Sequence, residues 1–437
     1  MTELELWDGV ERVCVPPPVA PLLPLRGAPS LREVAAEALD EGLRRVEVLA
    51  WRDLEDPEAG GSELHVHEIA RRWGAAGLDV TVRTSAVRGA AAAVWRDGYR
   101  TRRRGGRYAV FPAAAWRAVG EAATSRWPGR HGAPDGLVEV WNGMPFFSPL
   151  WQRRARVVFL HHVHGEMWRM VLGDRVGRCG EWLERRLAPP VYRRTRVVTL
   201  SESSRREIRQ VLGLQRVDVV PPGVDRRFVP GAGRSSVPMV LAVGRLAPVK
   251  RFPMLVGVLA EVKKRVPSLR VVIAGEGYHR PEVEAAIRRA GARAWIDLPG
   301  RCSADDLVAL YRRAWVLASA SQREGWGMTI TEAAACATPA VVSDIAGHRD
   351  AVIDGVTGLL ASAQEELAMG LSWMLEDGVL RHRFGRAAAA RAGGLSWEAT
   401  AAGTLRVLLD EHRKRPVAGA GPGGRASRPR PTPAPSR

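Results

Sequence analysis

Apolar residues recur along this chain in short runs, several of them closed by glycine or proline, that alternate with longer stretches of helical spacing. Arg44–Trp51 is the first such run; Gly60-Gly61-Ser62 then opens an amphipathic segment, Glu63–Ala76, before a second run at Asp79–Thr84. Strand, glycine turn, helix and strand are the opening of a doubly wound parallel sheet. Further strand runs are predicted at Tyr108–Phe111, Leu137–Trp141, Val157–Leu160, Val197–Leu200 and Val217–Val220.

Pro221-Pro222-Gly223 and the polar stretch after it interrupt this rhythm and read as a linker over 223–237. The alternation then restarts with strand Met239–Val243, helix Pro253–Val266, strand Leu269–Ala274 and helix Pro281–Ala290. It continues with helix Ala304–Arg313, strand Val316–Ala318, helix Thr331–Cys336 and strand Ala340–Val342. Two Rossmann-like α/β halves are expected, over 44–222 and 238–395, with a ligand held between them. In such sheets ligands sit outside the carboxyl ends of the strands. Residues 1–43, with Pro16-Pro17-Pro18 and little strand signal, read as an extension; 413–437, rich in Pro, Gly, Ala and Arg, as a tail without fixed structure.

Length and composition narrow the function. At 437 residues the chain can bury two cores. It contains no apolar run of about 18 residues, so no membrane-spanning segment is expected, and its acidic start is not expected to serve as a secretory signal. Cys14, Cys179, Cys302 and Cys336 are scattered, with no C-x-x-C pair, which fits a reducing cytosol. The net charge of +18 is shared between the tail, with seven cations and no acid, and the body, which keeps about +11. Such a balance suits nucleotide phosphates, anionic headgroups or nucleic acid. The few Tyr and Phe residues, 5 and 7, argue against a specific nucleic-acid surface.

The candidate chemistry lies at the glycine turns. Val240–Val243 is an apolar run that ends in Gly244-Arg245, with Lys250 five residues on. Glycine lets backbone N–H groups approach an anion, and the two cations can grip phosphate oxygens. Downstream, Glu324 and Glu332 stand eight residues apart around Gly325-Trp326-Gly327-Met328. Glu332 is the sole charged residue between Glu324 and Asp344, so its burial calls for a polar partner, which ligand hydroxyls would supply. In the first half, the run ending at Leu160 feeds His161-His162-Val163-His164 and Glu166. Zinc is one reading of these side chains, but alternation on an extended segment lets only His162 and His164 converge easily. A structural histidine is another. Arg96–Arg107, with six arginines, reads as a solvated β-hairpin, with acceptor or membrane contact as the alternative.

Together, Gly244-Arg245…Lys250 and Glu324…Glu332 resemble the donor site of family 4 retaining glycosyltransferases, and the resemblance runs from about Val46 to Leu405. It implies the GT-B fold, two Rossmann-like domains facing across a cleft, with a final helix near Trp397–His412 crossing back to the first. It also implies transfer of a hexose, mannose or glucose, from a nucleotide-diphosphate sugar to a glycan, lipid or small-molecule hydroxyl. The family places Arg245 and Lys250 on the diphosphate, Glu324 on the sugar and Glu332 on the ribose. Gly325–Met328 would lie against the diphosphate, and Gly275-Glu276 and Gly300 would border the base. His162 is expected near the reacting sugar, with His161 as rival. Gly60-Gly61 resembles the family's glycine loop, and Asn142 would join it and His161 in binding acceptor. Trp326 departs from the frequent Phe. No metal and no cofactor beyond the nucleotide sugar are implied. A cytoplasmic enzyme, in peripheral contact with anionic membrane, is the expectation; a phosphorylase or disaccharide synthase on the same fold is the alternative.

Overall fold

A computed structural model describes residues 29–116 and 134–415. Two sheets form. The first contains β1 (Arg45–Leu49), β2 (Asp79–Thr84), β3 (Ala93–Arg96), β4 (Tyr99–Arg103), β5 (Gly136–Val140), β6 (Ala155–Phe159), β7 (Arg196–Thr199) and β8 (Val217–Val219), in the order β3-β4-β2-β1-β5-β6-β7-β8. The second contains β9 (Met239–Val243), β10 (Arg270–Ala274), β11 (Ile296–Gly300), β12 (Val316–Ser319), β13 (Ala340–Ser343) and β14 (Gly358–Ala361), in the order β11-β10-β9-β12-β13-β14. Every pairing is parallel except the β3–β4 hairpin. Strand order reverses between β1 and β5 in the first sheet and between β9 and β12 in the second. These are the switch points where open α/β sheets leave a crevice for ligands.

The central parallel strands are buried on both faces, as their apolar runs require. β5 is buried throughout, and β9 almost so. The linker after β8 touches the start of the closing helix, Trp397–Arg413, through the Val224–Ser396 bridge. That helix returns to the first sheet. Ala401, Leu405, Leu408 and Leu409 join its core, and Trp73 donates its indole N–H to Ala401 O at 2.9 Å.

Three expectations are corrected. The segment Tyr108–Phe111 is not a strand: it turns into a helix that begins at Val110, with Ala113 N donating to Ala109 O at 3.1 Å. Pro112 suits a first helical turn, where its missing N–H costs nothing. The N-terminal extension is folded from Ser30 onward: Leu31–Asp40 is a helix closed by a Ser30–Glu33 capping box, and Val34, Ala35 and Ala38 are buried in the first core. The arginine-rich hairpin, turned by Asp97-Gly98, is not simply solvated, because Arg103 is buried against Asp53 at 3.0 Å. Residues 1–28 and the tail from 416 lie outside the described residues.

Candidate active site

The second sheet's switch point carries the charged pair. β9 ends at Val243, and the chain runs through Gly244-Arg245 into a single helical turn, Pro248–Lys250. β12 ends at Ser319, and Ser321 and Glu324 follow. Lys250 and Glu324 meet there as a short ion pair, and Ser321 donates its hydroxyl to the same Glu324 oxygen at 2.9 Å. Burial works against the carboxylate charge, but Lys250 and His348 outweigh it and hold this carboxyl below its ordinary value. His348 is fully buried behind the pair. It donates Nδ1–H to Ser343 O at 2.8 Å, which leaves Nε2 towards the Ser319 hydroxyl.

The glycine turns are set by close packing. A Cβ on Gly275 would stand 1.9 Å from Gly244 O, so the turns after β9 and β10 touch backbone to backbone. A Cβ on Gly325 would stand 2.6 Å from His161 O, and one on Gly347 2.4 Å from Glu324 O. Gly325 is therefore a contact between the two halves, reinforced by Ser204, whose hydroxyl lies 3.1 Å from His161 O and 3.3 Å from Gly325 O. Gly327 takes φ of +100° at the start of the helix Met328–Ala335, and Gly300 takes +85° at the end of β11. Glu276 is half exposed and accepts from Arg280 at 2.8 Å.

The first half answers across the cleft. Gly60 caps the helix Gly61–Ala75, and the Glu63 carboxylate reaches back to Gly60 N at 2.8 Å. Ser62 is thus inside the helix rather than its cap, and it accepts from Asn142 Nδ2 at 3.2 Å. Gly61 faces Met328: a Cβ there would lie 3.2 Å from the Met328 sulfur. Arg245 reaches over to Glu58 O at 3.1 Å, and Arg301 to Pro57 O at 2.8 Å.

The histidines divide. His162 is the one near the charged pair: Arg323, Glu324 and Lys250 act on it, and burial brings its pKa down to about 4. It stacks on His164 at 4.9 Å, and its Nε2 is buried without a protein partner. His161 turns the other way, 3.2 Å from His65 Nδ1, with Phe159 beside both rings. Its side chain thus packs on the side away from His162, as the alternation of an extended segment allows. The same split separates the zinc candidates. Among the described residues no three His, Cys, Asp or Glu side chains form a metal-holding group.

The Trp326 side chain is 4% exposed and lies in the core with Tyr311 and Ile330, so only its backbone faces the turn. Glu332 has a protein partner: Tyr311 donates its hydroxyl at 2.7 Å, and burial raises the carboxyl pKa to about 7. Its charged surroundings include Asp225, whereas Glu324 answers to Lys250 and His348, so the two glutamates sit in separate environments.

Two switch points facing each other, one carrying paired cation and carboxylate and the other a glycine-led helix, define the two-lobed GT-B class. The profile of glycosyl transferases group 1 matches residues 230–391, and that of Glycosyltransferase Family 4 matches 59–228. A D-inositol 3-phosphate glycosyltransferase of Salinispora arenicola is 31% identical over 70% of this chain and 69% of its own. The chain belongs to the family 4, group 1 glycosyl transferases. It spans about half the length of other curated relatives, such as the Nocardia farcinica enzyme of the same name, 35% identical over 52% of this chain and 56% of that one. Among solved structures, sucrose-phosphate synthase from Thermosynechococcus elongatus has a TM-score of 0.70 at 19% identity, covering 83% of this chain and 98% of that one. Anabaena Alr3699/HepE, in complex with UDP and glucose, has 0.65 at 18%, covering 84% and 100%. These likenesses establish the fold.

Proposed function

We propose that the chain transfers a hexose, mannose or glucose, from a nucleotide-diphosphate sugar to a hydroxyl of a glycan, lipid or small molecule, with retention at the anomeric carbon. The observation that carries this reading is the Lys250–Glu324 pair at the second switch point, opposite His162 and the Gly60-Gly61 helix start.

Lys250 and Arg245 stabilise the charge that grows on the departing diphosphate, aided by the amides that open the helix at Met328. This lets the site work without a metal. Glu324, kept ionised by Lys250, accepts hydrogen bonds from the sugar, and Glu332 accepts from the ribose. His162 is neutral at ordinary pH, so its free Nε2 can align the acceptor hydroxyl without adding charge beside the cations. Glu324 Oε1 is held by Lys250 and Ser321, which leaves Oε2 for the sugar hydroxyls, and same-face attack assisted by the leaving phosphate requires no covalent sugar on a carboxylate. Closure of the halves about the 223–237 linker excludes water.

A lipid-linked acceptor on an anionic membrane is consistent with the segment Met167–Leu187. There Val171, Val176, Trp182 and Leu187 are exposed beside Arg175, Arg178, Arg185 and Arg186. Among the described residues no helix is long and apolar enough to cross a membrane, so such contact is peripheral.

The test is release of nucleoside diphosphate from a panel of UDP- and GDP-hexoses, with and without EDTA, and assignment of the product anomer by NMR. One donor should be turned over at an EDTA-insensitive rate to an α-product. Turnover of none, or of a glycoside with inorganic phosphate to a sugar phosphate, would oppose the reading.

A further inference from the structure

The site just described draws its cations from the second half. The first half supplies another. Arg52 follows β1 and so stands at the first sheet's own switch point, beside the end of β5. Its guanidinium lies 4.2 Å over the Trp51 ring, the residue is 7% exposed, and its Nε is buried without a partner. An arginine so enclosed normally has its whole fork satisfied.

What holds Arg52 is informative. Its Nη1 donates to Glu58 O at 2.7 Å, and Arg245 Nη1, from the opposite half, donates to the same oxygen at 3.1 Å. Two like-charged guanidinium groups thus converge on one neutral carbonyl, an arrangement that a bound anion would stabilise better. The Glu58 carboxylate lies 3.5 Å from Arg52 Nη1 and takes Arg107 at 2.7 and 3.0 Å, while Arg301 holds Pro57 O. The Pro57–Glu58 segment is therefore gripped by four arginines, two from each half.

We propose that Arg52 is a phosphate-binding residue of the cleft, and that Pro57–Glu58 occupies the phosphate's place until it arrives. This rests on the transferase reading above and adds to it a cation from the first half. Arrival of a phosphate would free Glu58 O from both guanidinium groups and couple ligand binding to the contact between the halves. The phosphate belongs either to the donor diphosphate or to an acceptor.

Calorimetric titration of the full chain distinguishes these sources. UDP and GDP are titrated into wild type, Arg52→Gln, Arg52→Lys and Lys250→Ala; inorganic phosphate is then titrated into the nucleotide-saturated proteins. Arg52→Gln should weaken nucleotide binding at least tenfold if the donor is held, or phosphate binding alone if the acceptor is, with Arg52→Lys intermediate. Amide exchange over 56–59 in wild type should quicken on saturation. If Lys250→Ala loses nucleotide while both Arg52 variants bind nucleotide and phosphate as wild type does, the inference is overturned and the transferase reading stands. Unchanged exchange over 56–59 would remove the placeholder role. If neither nucleotide binds wild type, the underlying reading fails.

Discussion

Lys250 and Glu324 are 74 residues apart in the chain yet form one ion pair, each delivered by the turn that follows one of the two strands at the second sheet's switch point. Removing either leaves a partly buried charge with fewer partners as well as an incomplete site. Lys250→Ala and Glu324→Ala are each expected to lower turnover at least ~100-fold, the usual scale for losing a group that stabilises transition-state charge. The melting temperature should fall by only a few degrees. Near-wild-type turnover in either variant would remove the pair from the mechanism.

Glu332 gives a pH signature. Its carboxyl titrates near 4.5 when unfolded and near 7 when folded, because burial penalises the charge. Between those values the folded chain holds the extra proton, so this group's contribution is present at low pH and lost as pH rises through about 7. Glu332→Gln keeps the hydrogen bond from Tyr311 and removes the titration. The variant should gain stability relative to wild type, on the order of 1–3 kcal/mol, when melting curves at about pH 8 are compared with those at about pH 5. A difference that does not vary with pH would contradict the assignment.

Two glycines should respond in opposite senses to alanine. At Gly275 the new Cβ would meet Gly244 O at 1.9 Å, so the two turns must separate, at a cost of about 1–3 kcal/mol or more. At Gly257, inside the helix Phe252–Arg265, nothing lies within 4 Å, and alanine should add up to about 1 kcal/mol by helix propensity. Chemical denaturation of both variants checks the pair; equal effects would mean that the turn packing is wrong.

The exposed Met167–Leu187 segment predicts membrane behaviour. Trp182→Ser combined with Arg186→Ser should reduce co-sedimentation with phosphatidylglycerol vesicles severalfold at low salt and leave nucleotide binding intact. Wild-type protein that ignores such vesicles would rule out this contact.

The second half was the more legible in sequence. Its first two strands are apolar runs closed by glycine, and β9 and the helix Ala304–Arg313 fall where the spacing places them. In the first half, the helix at Leu31–Asp40 escaped notice although Ser30-x-x-Glu33 marks its start, since its partner is a helix some 370 residues away. The strand expected at Tyr108–Phe111 is an apolar cluster too short for periodicity to separate strand from helix. Within the site, alternation put His161 and His162 on opposite faces without saying which face is the cleft; His65, on the helix Gly61–Ala75, decides that. Tyr311 as the partner of Glu332 and Glu58 O as the shared acceptor of Arg52 and Arg245 are tertiary contacts with no local signature.

A nucleotide diphosphate is expected to bind at the second switch point. A crystal structure with UDP or GDP bound tests it most directly. Phosphate oxygens should lie within hydrogen-bond distance of Arg245 and Lys250, with the ribose hydroxyls at Glu332. A nucleotide bound elsewhere, with the Lys250–Glu324 pair and the Arg245–Glu58 contact untouched, would contradict it.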